Sequence, residues 1–176
     1  MNREQLHALL VQAKARIAHS EFVIVGSLAI LGAVSKPPDT MVMSIDVDAY
    51  LKNDPERTGE LVDALGQGSA FEDEFGYYLD PVSPELPSFP EGWQDRLILI
   101  DFGDVKAFFV EPNDVAVSKY MRGDERDLRW LRAGLQGQLI DMGVIERRIA
   151  SAPALDGELA EARKRIANHK KRLKLA

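Results

Sequence analysis

Apolar residues recur along this chain at two periods, and the period changes with position. Leu6, Leu9, Leu10, Ala13 and Ile17 repeat at helical spacing, which predicts an amphipathic helix over residues 3–18. Asn2 stands at its N-cap with Gln5 at the third helical position, a capping-box arrangement. Phe22–Val25 is a continuous apolar run of strand length, Gly26-Ser27 turns the chain, and Leu28–Val34 reads as a small-residue helix. Pro37-Pro38-Asp39 breaks that helix, and Met41–Leu51 reads as a strand in which Ile45 and Val47 alternate with Asp46 and Asp48. Successive strand side chains point to opposite faces. Ile45 and Val47 are therefore expected to face the core, with both aspartates on the other side.

Further on, Asp54-Pro55 opens a helix to about Leu65, ended by Gly66 and Gly68. Phe75–Leu79, carrying Tyr77 and Tyr78, is a predicted strand. Asp80–Gln94 holds Pro81, Pro84, Pro87 and Pro90 and reads as a loop of functional length. Leu97–Phe102 and Val105–Val110 flank Gly103-Asp104 as a hairpin. Glu111-Pro112 starts a helix to about Met121, and Asp124–Leu139 is the next, with Leu128, Leu131 and Leu135 inward. Gly143–Ala150 and Asp156–Leu173 follow, the last with a stripe of Leu155, Leu159, Ala162, Ile166, His169 and Leu173. The order predicts an α+β fold: a mixed sheet of about five strands flanked by helices, with a helical C-terminal region. The expected division is an α/β core over residues 1–110 and helices over 111–176 packed on it as one structural unit.

Composition narrows the chemistry. At 176 residues, 45% hydrophobic and 28% charged, the chain has the makings of one globular domain. It has no cysteine, which removes disulfides and thiolate chemistry. Its three histidines, His7, His19 and His169, have no ligand spacing and read as core or surface residues. No apolar run approaches ~18 residues, so no membrane span is expected and a cytoplasmic protein is the simplest reading. The net charge of −6 argues against nucleic-acid binding through a bulk field, though not against a local basic patch. Charge is unevenly placed: Asp54 to Asp104 holds 13 acids against two arginines, and Glu161 to the end one acid against seven Lys/Arg. That basic tail reads as a solvated last helix, with contact to nucleic acid or an acidic partner as the alternative.

Two carboxylates side by side repel each other, and a cation or donors between them relieve the repulsion. Asp46 and Asp48 are thus candidate ligands for a divalent metal, with a solvated strand face as the alternative. Gly26-Ser27 upstream offers backbone N–H groups suited to phosphate. Two-metal phosphoryl-transfer sites hold ions ~4 Å apart with carboxylates from neighbouring strands. Asp101, at the end of the first hairpin strand, is the candidate third ligand, while turn chemistry explains Asp104. Lys106 and Lys119 are candidate cations for phosphate charge, each with an exposed surface position as the alternative. Asp124 and Asp127 share a helix face, where pairing with nearby arginines is the structural alternative. Tyr77, Tyr78 and Trp93 are candidates to stack a base or to fill the core.

Gly26-Ser27 followed by Asp46-x-Asp48 resembles the signature of the nucleotidyltransferase (DNA polymerase beta-like) superfamily. The segment EPNDVAVSKYMRGDERDLRWL, Glu111–Leu131, is similar to the corresponding segment of AbiEii-type toxin nucleotidyltransferases and their bacterial relatives. The resemblance spans about residues 20–140. It implies a phosphate-contacting turn at Gly26 and Ser27, a metal-binding pair at Asp46 and Asp48, a helix lysine at Lys119, and paired aspartates at Asp124 and Asp127. The family's basic residue shortly before the aspartate pair has no counterpart nearer than Lys36. The implied activity is Mg²⁺-dependent transfer of a nucleoside monophosphate from an NTP to an acceptor hydroxyl on RNA, tRNA or protein, with a cognate antitoxin-like protein as a further partner. A nucleotide-binding or regulatory module without turnover is the rival. A haloacid-dehalogenase-like phosphatase fits poorly, because its first strand carries the aspartates and here Phe22–Val25 leads into Gly-Ser instead.

Overall fold

Helix α1 (Arg3–Ile17) forms where the apolar period predicts it in the computed structural model, which describes residues 1–155 and 157–174. Asn2 caps it by accepting from the Gln5 backbone, and the Gln5 side chain accepts from the Asn2 N–H in return. Leu6, Leu9, Leu10 and Ala13 are fully buried. Each such leucine contributes about 1.5–3 kcal/mol. The fold divides into a sheet unit, Met1–Leu86 with Arg96–Glu111, and a helical unit, Pro87–Asp95 with Pro112 onward.

The sheet unit contains β1 (Glu21–Ile24), a 3₁₀ turn at Ser27–Ala29 running into α2 (Ile30–Ala33), and β2 (Asp46–Leu51). It continues through a 3₁₀ segment Pro55–Leu61, α3 (Val62–Leu65), α4 (Ala70–Phe75), β3 (Tyr78–Pro81), β4 (Ile98–Asp101) and β5 (Lys106–Phe109). The strands form one mixed sheet in the order β3-β2-β1-β5-β4. β1 is antiparallel to β2 and parallel to β5, β2 is parallel to β3, and β4–β5 is the antiparallel hairpin. The α+β reading with five strands therefore stands. One sheet face, with Phe22, Ile24, Val47, Ala49, Leu51, Leu79, Ala107 and Phe109, joins the buried stripe of α1 in a single core.

Several local expectations change, among them the helix from Asp54 to about Leu65, which is a 3₁₀ segment over Pro55–Leu61 and one helical turn, Val62–Leu65. Met41–Leu51 is not one strand: Asp39–Met41 is a 3₁₀ turn and pairing begins at Asp46. Val47 is fully buried as expected, but Ile45, just outside the strand, is 51% exposed. Phe75–Leu79 is not a strand either. Ser69 accepts from the Glu72 N–H and opens the six-residue α4, Gly76 ends it in a left-handed conformation, and pairing starts at Tyr78. The helix expected over Leu28–Val34 shrinks to a 3₁₀ turn and one helical turn.

The helical unit holds α5 (Pro112–Arg122), α6 (Glu125–Gln136), α7 (Met142–Arg148) and α8 (Glu158–Leu173). The expected start of the last helix at Asp156 lies outside the described residues. Its inward stripe is Ala162, Ile166 and His169, while Leu155 precedes the helix and is 76% exposed. His169 is buried against Tyr120, hydroxyl to Nδ1 at 2.9 Å. Among the described residues no helix is long and apolar enough to cross a membrane.

Candidate functional site

The strand register decides which sequence candidates meet. β1 runs from Glu21 to Ile24 and then into the Gly26 turn, beside β2 running the opposite way, with Ile24 opposite Ala49. Asp46 and Asp48 therefore sit at the same end of the sheet as Gly26-Ser27. The Val25 N–H donates to the Asp48 carbonyl at 2.9 Å and holds the turn against the strand. β3 pairs in parallel with β2, Asp46 opposite Tyr78 and Asp48 opposite Asp80. Paired residues share a face, so Asp46, Asp48, Tyr78 and Asp80 all project from the side away from the α1 core.

The turn is shaped around the aspartates. Gly26 has φ +63° and ψ −154°, a region that essentially only glycine occupies. A Cβ there would lie 1.9 Å from Asp48 Oδ2, so glycine is required both for the backbone angle and for the close approach. Behind the turn, Arg3 donates to the Leu31 carbonyl at 2.7 Å and the Gly32 carbonyl at 3.2 Å. Gly32 lies so close to Phe109 that an added Cβ would come within 2.3 Å of the phenylalanine Cβ. The segment after the phosphate-turn candidate is thus pinned to both α1 and β5.

Asp46, Asp48 and Asp80 are half-buried, and one oxygen from each lies within 4.8 Å of the others. The Ser44 hydroxyl donates to Asp46 Oδ1 at 2.6 Å. Burial first, and then the Asp46 charge, hold the Asp80 carboxyl above its ordinary range. Gathering carboxylates at one half-buried place raises the cost of charging them. Three hard oxygen donors at this spacing, with no sulfur or imidazole among them, fit a small divalent cation of the magnesium, calcium or manganese kind.

The other sheet-unit candidates lie elsewhere. Asp101 is on edge strand β4, opposite Lys106, which in turn is opposite Glu21. That is the far edge of the sheet and the opposite end of the strands, so Asp101 does not join Asp46 and Asp48. Its carboxylate accepts from the Gly103 N–H at 2.8 Å in the hairpin turn. Lys106 is exposed, 3.9 Å from Glu21. Asp104 accepts from the Val105 N–H and pairs with His7 Nε2 at 2.8 Å. Tyr77 is buried among Phe71 and Phe75, and Trp93 is buried against Phe89 in the helical unit. Only Tyr78 of the three aromatics stands on the carboxylate face.

Lys119, Asp124 and Asp127 belong to the helical unit. Lys119 is 4% exposed and Asp127 fully buried. The ammonium donates to Asp127 Oδ1 at 2.8 Å and lies 5.2 Å from the Trp130 ring centre. Arg122 adds a bidentate pair, Nε to Oδ2 and Nη2 to Oδ1, both at 2.7 Å. Burial works to raise the Asp127 pKa, but the Arg122 hydrogen bonds and the Lys119 charge outweigh it and hold the carboxyl low. Asp124 is exposed, 3.3 Å from Arg122. This geometry ties the end of α5 to the start of α6. For Lys119 to touch a nucleotide it would have to leave Asp127.

Asp80 is the residue that the sequence reading missed. Ending the strand at Leu79 assigned Asp80 to the proline-rich loop, although Tyr78-Leu79-Asp80 alternates as Asp46-Val47-Asp48 does. A Ser69-x-x-Glu72 capping signal marks α4 and, once read, moves the strand to where Asp80 belongs.

No curated protein and no solved structure matches the chain significantly. A family profile described as nucleotidyltransferase of unknown function (DUF6036) matches residues 4–171. That span takes in both the carboxylate face and the α5–α6 segment, and the chain belongs to this nucleotidyltransferase family.

Proposed function

We propose that the chain transfers a nucleoside monophosphate from an NTP to an acceptor hydroxyl. The observation that carries this reading is the trio of carboxylates on β2 and β3 facing the Gly26-Ser27 turn. Nucleotidyltransferases generally use divalent metals; Asp46, Asp48 and Asp80 would hold them here, Mg²⁺ being the expected ion. When bound, the metal supplies charge neutralisation for the triphosphate and polarises the reacting oxygens. Backbone N–H groups at Gly26 and Ser27 are suited to hold the triphosphate. Burial and then the neighbouring carboxylates push the Tyr78 hydroxyl above its ordinary pKa, and it adds no further negative charge to the face. The acceptor oxygen forms the new bond to the α-phosphorus, pyrophosphate leaves with the electron pair of the broken bond, and the hydroxyl proton is released to solvent. A cytoplasmic setting, the simplest reading of the sequence, forms part of the proposal, as do tRNA as acceptor and a cognate antitoxin-like protein as partner, which the toxin resemblance implies.

The rival reading, nucleotide binding without turnover, draws support from Lys119. The cation that the resemblance assigns to catalysis is neutralised by Asp127. One experiment separates the two. Wild type and Asp46→Ala/Asp48→Ala are incubated with each labelled NTP, Mg²⁺ and mixed tRNA. Label on the acceptor with wild type only is the expected result. NTP binding without product favours the rival, and neither binding nor product ends both.

A further inference from the structure

We infer that the α8 surface of the helical unit docks the phosphodiester backbone of a nucleic acid, so that the acceptor is a polynucleotide. The docking stands on its own observations; only the word acceptor rests on the proposed function.

Charge is segregated between the units. The sheet unit carries 8 Lys/Arg against 17 Asp/Glu, the helical unit 14 against 11. The excess concentrates on α8, whose two glutamates, Glu158 and Glu161, both lie in its first turn. Arg163 and Lys170 stand at i and i+7, one line along the helix, with Lys164 and Lys171 beside it and Lys174 as the helix's left-handed C-cap. The line runs ~10 Å at the α-helical rise. Arg165 is committed to the Tyr120 and Met121 carbonyls, and Lys170 pairs with Glu146 at 3.2 Å. Arg163, Lys171, Arg172 and Lys174 are exposed and, among the described residues, have no carboxylate in ion-pair range.

Each flank of α8 carries cations, and on the second Glu146 offsets Lys170. On one, Arg132 of α6 and Arg172 lie near enough to His169 that, after burial, their charges lower its pKa. These two cations come from different helices. On the other, a groove of about 540 Å³ is lined by Glu146, Ile149, Arg163, Ile166, Ala167 and Lys170. An aliphatic floor beside a guanidinium suits an unstacked base next to a phosphate track. A protein partner fits less well. Interface cores are depleted in charge, and among the described residues the large apolar side chain most exposed in this unit is Leu155, ahead of α8.

The test measures anisotropy of labelled single-stranded RNA and DNA of one sequence on the full chain between 50 and 200 mM salt. Expected is binding whose log K falls with log salt at a slope of about −2 or steeper, since each neutralised phosphate contributes about −0.7 on single strands. Arg163→Gln/Lys171→Gln/Lys174→Gln should weaken binding at least tenfold and flatten the slope by about two. Single Lys171→Gln and Lys174→Gln variants, each expected to flatten it by about 0.7, serve where the triple variant fails to fold. Equal affinity for RNA and DNA supports recognition of the shared backbone, and preference for RNA supports an RNA source. No binding at 50 mM salt, unchanged binding by the substituted chains, or equal competition by polyglutamate overturns the inference. Asp46→Ala/Asp48→Ala should bind normally. RNA bound but never labelled refutes the proposed transfer alone, whereas RNA labelled at full rate by the triple variant refutes the docking surface alone.

Discussion

Gly26→Ala is the sharpest perturbation that the site offers, because it separates the cost to the fold from the cost to the metal. The backbone at φ +63° and ψ −154° costs a residue with a Cβ about 1–3 kcal/mol. The new Cβ would sit 1.9 Å from Asp48 Oδ2 and 2.9 Å from its Cγ. Those atoms are the free end of a side chain, so the carboxylate can swing away while β2 stays in place through the Val25–Asp48 backbone bond. The stability loss is therefore expected to stay within the backbone cost. The larger effect is removal of one of three oxygen donors, expected to weaken divalent-cation affinity about 10–100-fold, the scale found when the support of a metal ligand is lost. Urea denaturation reads the first quantity, and calorimetric titration with Mn²⁺ and Mg²⁺ reads the second. Wild-type metal affinity in a destabilised Gly26→Ala protein would refute the claim that the turn is shaped around Asp48.

Asp80→Asn should weaken Mn²⁺ binding as much as Asp48→Asn does, and Asp101→Asn should leave the titration unchanged; the reverse order would return Asp101 to the ligand set. Asp127→Asn is expected to cost the helical unit about 3–5 kcal/mol, since it leaves the Lys119 charge buried without its counter-ion, as read by the urea midpoint. Asp127 is also depressed in the folded state. A depressed carboxyl contributes stability that is present above the unfolded value near 4 and lost as pH falls through the folded one. The urea midpoint of wild type should accordingly fall below about pH 4, and fall less steeply in Asp127→Asn. His169 is depressed as well, by burial first and then by Arg132 and Arg172. Its contribution is full above about 6.5 and lost on acidification through its lower folded pKa, so His169→Gln should flatten the midpoint in that window.

The parts of the site legible in the sequence are those set by local periodicity. Asp46 and Asp48 declare themselves by alternating with Val47, and Gly26 by following an apolar run. Asp80 was hidden by a boundary error. The short α4 shifted the strand by three residues, and Pro81 behind Asp80 suggested a loop although proline is tolerated at the end of an edge strand. Asp101 looked like a ligand because a hairpin strand can neighbour any other strand. Sequence carries no statement of strand order, and the order β3-β2-β1-β5-β4 sends β4 to the wrong edge. Ile45 fits the alternation yet is exposed, because the core ends before the strand pattern does.

Lys119 raises a different difficulty, since two physical demands select the same residue types. A phosphate-handling site needs a cation held by carboxylates, and so does a buried junction between α5 and α6. Removing one partner of such a junction strands a charge, whereas replacing both with apolar residues of similar volume is often neutral or better. A catalytic lysine behaves the other way, losing activity in either case. Asp127→Leu combined with Lys119→Met therefore discriminates where the single substitutions do not. If the double variant regains the stability lost by Asp127→Asn and still labels an acceptor, the segment is in this family for its fold. If stability returns and transfer does not, the lysine acts on the nucleotide despite its burial, and the bond to Asp127 is one that the reaction must open.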